Sequence, residues 1–205
     1  MYRHYPLFIR LWHLLNALLF LCLIVTGLNM QFSDPDHPFL SLEASVNLHK
    51  ICGVLVTINY LLFFIGNILS GNGKNYIVKI RGLVKKITLQ VKYYITRSWK
   101  RTEPPFPVTS GQKFNPLQAL SYSTTMYVGV PLLFLTGLGL LFPKIIIEKI
   151  FGISGLLLTD IIHVALGFLL FLFMLVHIYM CTLGKTSSGS FRAIITGWQE
   201  LERES

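Results

Sequence analysis

Four long hydrophobic runs, separated by polar segments, make up most of this sequence. The runs are Leu7–Met30, Ala44–Ser70, Pro116–Phe142 and Leu157–Leu183. Each is long enough for the ~20 residues that an α-helix needs to cross a hydrocarbon layer ~30 Å thick. A helix also satisfies its own backbone hydrogen bonds, which lipid cannot do. The pattern therefore predicts an all-α fold, a four-helix transmembrane bundle in which residues 1–205 form a single membrane domain.

A further periodic pattern lies between the second and third runs. Its apolar residues recur at steps of three and four, with lysines and arginines between them, at Ile77, Ile80, Val84, Ile87, Val91 and Tyr94. This pattern is typical of a basic amphipathic helix that lies at the membrane interface against anionic lipid. A solvated helix packed on the bundle is the alternative. The stretch Ser190–Arg203 predicts a second, shorter interfacial helix.

The distribution of charge predicts the orientation of the chain. The net charge is +9, and the segment from Gly71 to Asn115 holds ten basic residues and one acid, Glu103. The loop between the first two runs has no lysine or arginine. By the positive-inside rule, the loop 71–115, the tail 184–205 and both termini are cytoplasmic, as in a multi-pass protein of the bacterial cytoplasmic membrane. Because topology accounts for the basic charge, we expect no nucleic-acid partner. The first run lacks a small-residue cleavage pattern and is interpreted as a retained helix.

Four of the six histidines lie inside the hydrophobic runs, at depths that match in pairs. His13 and His177 each lie about two turns inside the cytoplasmic end of the first and fourth runs. His49 and His163 lie near the outer ends of the second and fourth runs. An imidazole is costly to bury in hydrocarbon unless its nitrogens are used. Each pair could therefore bind one haem iron from both sides, whereas His37 in the outer loop is expected to be solvated.

The positions of the cysteines limit the types of cofactor that the chain could bind. Cys22, Cys52 and Cys181 all fall inside the runs, and the sequence contains no CxxCH motif for covalent haem attachment and no CxxC pair. Zinc would need four ligands at one point, which two histidine pairs ~20 Å apart cannot supply. Two non-covalently bound haem b groups, one in each leaflet, fit the pattern best.

Other residues near the histidines are candidates for contacts with a haem. Gly53 and Gly167 each follow an outer histidine by one helical turn, where the lack of a side chain leaves room for a porphyrin edge. Arg10 and Lys50 flank His13 and His49, and haem propionates need cationic partners. Arg10 could equally be a base that only sets the topology.

Short motifs recur in the two halves of the sequence. Val25-Thr26-Gly27-Leu28 ends the first run, and Leu135-Thr136-Gly137-Leu138 lies in the third. His49 and Gly53 in the second run correspond to His163 and Gly167 in the fourth. Two helical hairpins of common design would give this repeat.

Several of these motifs resemble one family. The opening Tyr5-Pro-Leu-Phe-Ile-Arg-Leu-Trp-His-Leu-Leu-Asn16 is similar to the first helix of bacterial di-haem membrane cytochrome b subunits. Examples are the gamma subunit of formate dehydrogenase and the b subunits of nickel–iron hydrogenase and thiosulfate reductase. The same resemblance covers the Thr-Gly-Leu motifs, the four histidines, Phe114-Asn115-Pro-Leu-Gln118, and Phe191-Arg-Ala-Ile-Ile-Thr-Gly-Trp198.

The resemblance implies roles for particular residues. His49 and His163 would bind the outer haem, and His13 and His177 the haem on the cytoplasmic side. Menaquinone or ubiquinone would lie beside the inner haem, near His177 and Asn115. This sequence has Leu117 where the family has glycine after the asparagine. Gln118, Ser121 and Tyr122 are further polar candidates near that quinone.

The histidine pairs and the family resemblance together predict electron transfer between quinone and an extracytoplasmic redox partner subunit. That partner would be an iron–sulfur or multihaem protein. The sequence contains no motif for a terminal catalytic site, so the protein would be an electron-transfer and quinone-reactive subunit of an oxidoreductase complex. The outer loops Gln31–Glu43 and Lys144–Gly155 are the predicted docking surface. Two alternatives stay open: a stand-alone quinone-linked di-haem oxidoreductase acting on a small oxidant such as superoxide, and a haem-free membrane anchor.

Overall fold

The computed structural model describes residues 2–3, 6–34, 36–78, 80–96, 104–106, 114–182 and 189–199. Four helices in it are long and apolar enough to cross a membrane. They are α1 (Leu7–Phe32), α2 (Leu42–Leu69), the segment Pro116–Leu141, and a last long helix over Gly155–Thr182. Each boundary lies within two residues of the predicted one. The prediction of an all-α fold with four membrane spans is confirmed.

The remaining elements are short. A strand, β1 (Tyr2–Arg3), precedes α1, and a 3₁₀ turn (Asn72–Tyr76) and α3 (Leu83–Thr96) follow α2. The third span consists of α4 (Pro116–Thr124), a π-helical turn (Thr125–Gly129) and α5 (Val130–Leu141). A 3₁₀ turn (Pro143–Ile145), β2 (Lys149–Ile150) and β3 (Ile153–Ser154) lead into α6 (Gly155–Thr182). The helix α7 (Gly189–Thr196) and the strand β4 (Trp198–Gln199) end the described chain.

The described residues form two compact units, one within 1–64 and 131–199 and one within 65–130. In the first unit, polar side chains join α1 to α2. Trp12 donates through Nε1 to the carbonyl of Asn59 at 2.9 Å, and Asn59 donates through Nδ2 to Oδ1 of Asn16 at 3.2 Å. Leu19, Cys52 and Val56 form a small apolar core between these helices. Interhelical hydrogen bonds are one of the forces that associate helices in lipid.

Asn29, near the end of α1, organises the connection to α2. Its Nδ2 donates to the carbonyl of Leu40 at 2.9 Å and to Oγ of Ser45 at 2.8 Å, and its Oδ1 accepts from the Leu40 N–H at 3.3 Å. Ser45 is fully buried. At the start of α2, Oγ of Ser41 accepts from the Ala44 N–H and so satisfies one free donor of the first turn.

A β-hairpin connects the third and fourth spans. The strands β2 and β3 pair antiparallel around Phe151 (φ 53°) and Gly152 (φ 82°). Positive φ at both central residues is the geometry of a type I′ turn, which suits glycine but is rare for phenylalanine. The Phe151 side chain is fully exposed. A Cβ at Gly155 would overlap the carbonyl oxygen of Ile147, so only glycine fits where α6 begins.

The two ends of the described chain pair with each other. β1 pairs antiparallel with β4, and Nε of Arg10 donates to the carbonyl of Ile194 at 3.0 Å.

The prediction of a helix over Ser190–Arg203 is wrong beyond Thr196, because Gly197 (φ 82°) ends the helix and the chain continues as a strand. Residues 200–203 lie outside the described residues.

In the second unit, α3 packs against α4. The prediction that its helical pattern begins near Ile77 is wrong, because Gly82 (φ 69°) separates the helix from Ile77 and Ile80. Gln90, only 2% exposed, lies on the packed face. The opposite face exposes an apolar stripe with α-helical spacing, formed by Val84, Val91 and Ile95.

Asn29→Ala should lower the free energy of unfolding by about 1–3 kcal/mol, because buried partners lose their donor. Denaturation of the purified protein in mixed micelles measures this difference. Asn47→Ala is the matched control, since Asn47 lies on the exposed face of α2 and should change stability little. Equal effects of the two substitutions would contradict the role given to Asn29.

Candidate functional site

The histidine rings of α2 and α6 meet inside the first unit. The centroids of His49 and His163, which we call the outer pair after the predicted topology, lie 6.3 Å apart with their planes at 72°. Both rings are half-buried. His49 is the eighth residue of α2 and His163 is the ninth residue of α6, so both lie in the third turn of their helices.

A second pair of rings meets further along α6. The centroids of His13 in α1 and His177 in α6, the inner pair, are also 6.3 Å apart, with their planes at 45°. The His177 ring stacks on Phe173 at 6.0 Å, and its Nε2 lies 4.0 Å from Sγ of Cys181. Nδ1 of His13 is buried, and none of the described residues hydrogen-bonds to it. The structure thus places the four histidines in the same pairs that the sequence depths predict.

The separation of the rings fits a shared metal ion. A metal–imidazole bond is about 2.0 Å, and a ring centroid lies about 1.2 Å from its own nitrogen, so two rings on opposite sides of one metal have centroids about 6.4 Å apart. Among the described residues, no group of three or more His, Cys, Asp or Glu side chains could hold a metal ion. Haem iron needs only axial ligands from the protein, so two imidazoles fit haem and do not fit a zinc site.

Space beside the outer pair is compatible with a flat macrocycle. A Cβ built at Gly53 or at Gly167 meets no atom within 4 Å. Each glycine lies one turn after an outer histidine, on the same helical face. Their predicted role as porphyrin contacts stays a prediction, and this open space supports it.

Two threonines touch the outer pair, and neither was among the candidates drawn from the sequence. Thr26 Oγ1 lies 2.9 Å from Nδ1 of His49, and Thr136 Oγ1 lies 3.0 Å from Nδ1 of His163. The glycine that follows each threonine lies against the same ring. A Cβ on Gly27 would be 3.6 Å from Cε1 of His49, and one on Gly137 would be 3.1 Å from Cε1 of His163. The repeated Val/Leu-Thr-Gly-Leu motif was the signal that pointed to these residues.

The predicted cationic partners have different surroundings. Arg10 is half-buried and uses Nε to hold the carbonyl of Ile194 near the end of α7. Lys50 is exposed on α2, next to His49. Contacts of either side chain with haem propionates stay predictions.

Asn115 lies in the second unit, where it is the N-cap of α4. Its Oδ1 accepts from the Gln118 N–H at 2.9 Å, the Gln118 side chain accepts from the Asn115 N–H at 3.2 Å, and Nδ2 donates to the Tyr94 hydroxyl at 2.8 Å. This is a capping box, with Pro116 in the first turn. Ser121 donates to the Gln118 carbonyl. These polar groups therefore stabilise the helix end, and quinone contacts for Asn115, Gln118, Ser121 and Tyr122 stay predictions.

Comparison with known proteins agrees with this geometry. The sequence model of the prokaryotic cytochrome b561 family matches residues 4–197. The chain is also 35% identical over 190 residues to the protein named "Putative cytochrome YdhU" of Escherichia coli (strain K12), a match that covers 93% of this chain and 71% of that protein. The family implies binding of haem b, which the paired imidazoles fit. The chain belongs to the prokaryotic cytochrome b561 family, as a membrane-bound b-type cytochrome of electron transfer.

Proposed function

We propose that this protein is a di-haem subunit that transfers electrons across the bacterial cytoplasmic membrane, between a quinone pool and an extracytoplasmic redox partner. The observation that carries the proposal is the presence of two histidine pairs with the same 6.3 Å separation of ring centroids. His163 and His177 are fourteen residues apart on α6, which corresponds to ~21 Å along the helix axis. One helix therefore contributes a ligand at each of two depths, and α2 and α1 contribute the others.

Each residue has a physical task in this proposal. Haem b, when bound, supplies a reversible one-electron couple. His49 and His163 hold one such group, and His13 and His177 hold the other, all four as neutral imidazoles. The surrounding apolar residues of the spans exclude water from the ligands. Gly53 and Gly167 leave the space that a porphyrin edge needs, and Arg10 and Lys50 are the cations nearest in sequence to the ligands.

The orientation and the two electron partners are part of the same proposal. The basic segment 71–115 supports cytoplasmic termini by the positive-inside rule, and the exposed apolar stripe of α3 supports contact with membrane lipid. Menaquinone or ubiquinone is proposed beside His177, near Asn115. An iron–sulfur or multihaem partner is proposed at the loops Gln31–Glu43 and Lys144–Gly155. The second of these loops includes the fully exposed side chain of Phe151.

Substitution of the histidines tests the ligand assignment. His163→Ala should remove the outer haem and leave the inner haem with part of its quinone reactivity, and His177→Ala should do the reverse, because each change deletes one axial ligand. Reduced-minus-oxidised spectra of the purified variants measure the haem that remains. His37→Ala is the control, since His37 is exposed outside the spans and its Nδ1 lies 3.7 Å from Oδ2 of Asp34.

Two outcomes would contradict this assignment. Loss of both haems from either variant without unfolding, or of neither, would show that the pairing is wrong. A wild-type protein that lacks the b-type α band would favour the haem-free anchor. Oxidation of quinol by the isolated chain with superoxide as the acceptor would favour the stand-alone enzyme over the complex subunit.

The open space beside Gly167 gives a steric test. Gly167→Leu should reduce outer-haem occupancy, because the new side chain would fill the volume proposed for the porphyrin edge. Ala165→Leu is the matched control, since Ala165 lies on an exposed face of the same helix. Spectra of both variants measure the haem content. Full occupancy in Gly167→Leu would argue against a macrocycle at that position.

A further inference from the structure

The outer histidines share a local arrangement that their assignment as ligands does not explain. In each case, a threonine on the preceding span lies within hydrogen-bond distance of Nδ1, at 2.9 Å for Thr26 and His49 and at 3.0 Å for Thr136 and His163. The two contacts come from the two copies of the repeated Thr-Gly motif. The same threonine–histidine contact therefore occurs twice, once in each helical hairpin.

The position of the hydroxyl hydrogen decides the direction of these hydrogen bonds. A threonine hydroxyl has one hydrogen and two acceptor lone pairs. Thr26 donates its hydrogen to the carbonyl of Cys22, at 2.7 Å, or to that of Leu23, at 3.2 Å. Thr136 likewise donates to the carbonyl of Leu132, at 2.9 Å, or of Leu133, at 3.0 Å.

When the hydroxyl hydrogen is donated to a backbone carbonyl in this way, the threonine oxygen keeps a lone pair with which it accepts from the imidazole. Nδ1 of His49 and of His163 must then carry the ring hydrogen. In a neutral imidazole, the other nitrogen, Nε2, is left with its lone pair free to bind a metal.

We propose that Thr26 and Thr136 are positioning residues for the outer haem: each holds the hydrogen of its histidine on Nδ1 and thereby presents Nε2 to the iron. This inference rests on the proposed function, since it takes His49 and His163 as the axial ligands. An acceptor on the second nitrogen of a ligating histidine fixes the tautomer and ring orientation and makes the ligand more basic. The inner pair does not share the arrangement in full, because within the described part of the chain Nδ1 of His13 has no hydrogen-bond partner.

The experiment replaces each threonine with valine, which keeps the shape but lacks the acceptor oxygen. A less basic ligand stabilises the ferric iron less, so the midpoint potential of the outer haem should rise in Thr26→Val and in Thr136→Val. A hydrogen bond of ordinary strength predicts a roughly two- to tenfold change in the ferric-to-ferrous ratio at fixed potential. For a one-electron couple, tenfold corresponds to about 59 mV. Redox titration of the haem-loaded protein measures this, with His163→Ala identifying the signal of the inner haem.

Two controls separate the hydrogen bond from side-chain volume. Thr26→Ser and Thr136→Ser restore the acceptor and should restore the wild-type potential. Thr57→Val removes a hydroxyl that makes the same bond to a carbonyl four residues back, that of Gly53 at 2.7 Å, and that has no hydrogen bond to a histidine among the described residues. Its potentials should equal those of the wild type. Loss of the outer haem from the valine variants, with retention in the serine variants, would equally support the proposal.

Failure of this inference is distinguishable from failure of the proposed function. Two haems in the wild type with unchanged outer-haem potential and occupancy in both valine variants would overturn only the role of the threonines. An equal shift in Thr57→Val, or no recovery with serine, would also overturn it. A wild-type protein without haem would overturn the proposed function together with this inference.

Discussion

Polar groups inside a hydrocarbon layer must find their partners within the protein, and the spans of this chain follow that constraint closely. Trp12 and Asn16 of α1 are hydrogen-bonded to Asn59 of α2, and Asn29 satisfies Ser45 and the backbone of Leu40. The four span histidines meet ring to ring in two pairs. Nδ1 of His13, which belongs to the inner pair, is buried and has no hydrogen-bond partner among the described residues.

The helix α6 links the two histidine pairs. The described part of the chain leaves most of its apolar surface exposed. The helix supplies one histidine to each pair, yet no residue of its most hydrophobic stretch is buried within the described chain. Its apolar side chains are available to lipid, and the faces that carry His163, Gly167 and His177 are available to cofactors. The proposed function uses both properties, because a single rigid helix sets the separation between the two sites.

Parts of this structure follow directly from residue patterns. Long apolar runs specified the spans to within two residues, since hydrocarbon thickness fixes helix length. Matching depths identified which histidines would meet, because the rise of a helix converts sequence position into height. The start of α3 was missed because the backbone conformation of Gly82 overrides the apolar periodicity from Ile77. The end of α7 was missed because Trp198 pairs with a strand at the other end of the chain, a non-local contact that no local pattern shows.

The contacts of Thr26 and Thr136 with the histidines could not be predicted from the sequence for a different reason. The repeated motif marked both positions, but a threonine in a helix commonly bonds only to its own backbone. Only the structure shows that the same oxygens also reach the histidines of the next span.

The most direct test of the account is the ratio of haem b to protein in the purified wild-type chain, measured by pyridine haemochrome against amino-acid analysis. Two histidine pairs with the same 6.3 Å separation of ring centroids predict two haem b groups per chain. A ratio of one or less in fully folded protein, expressed with ample haem, would contradict the central claim.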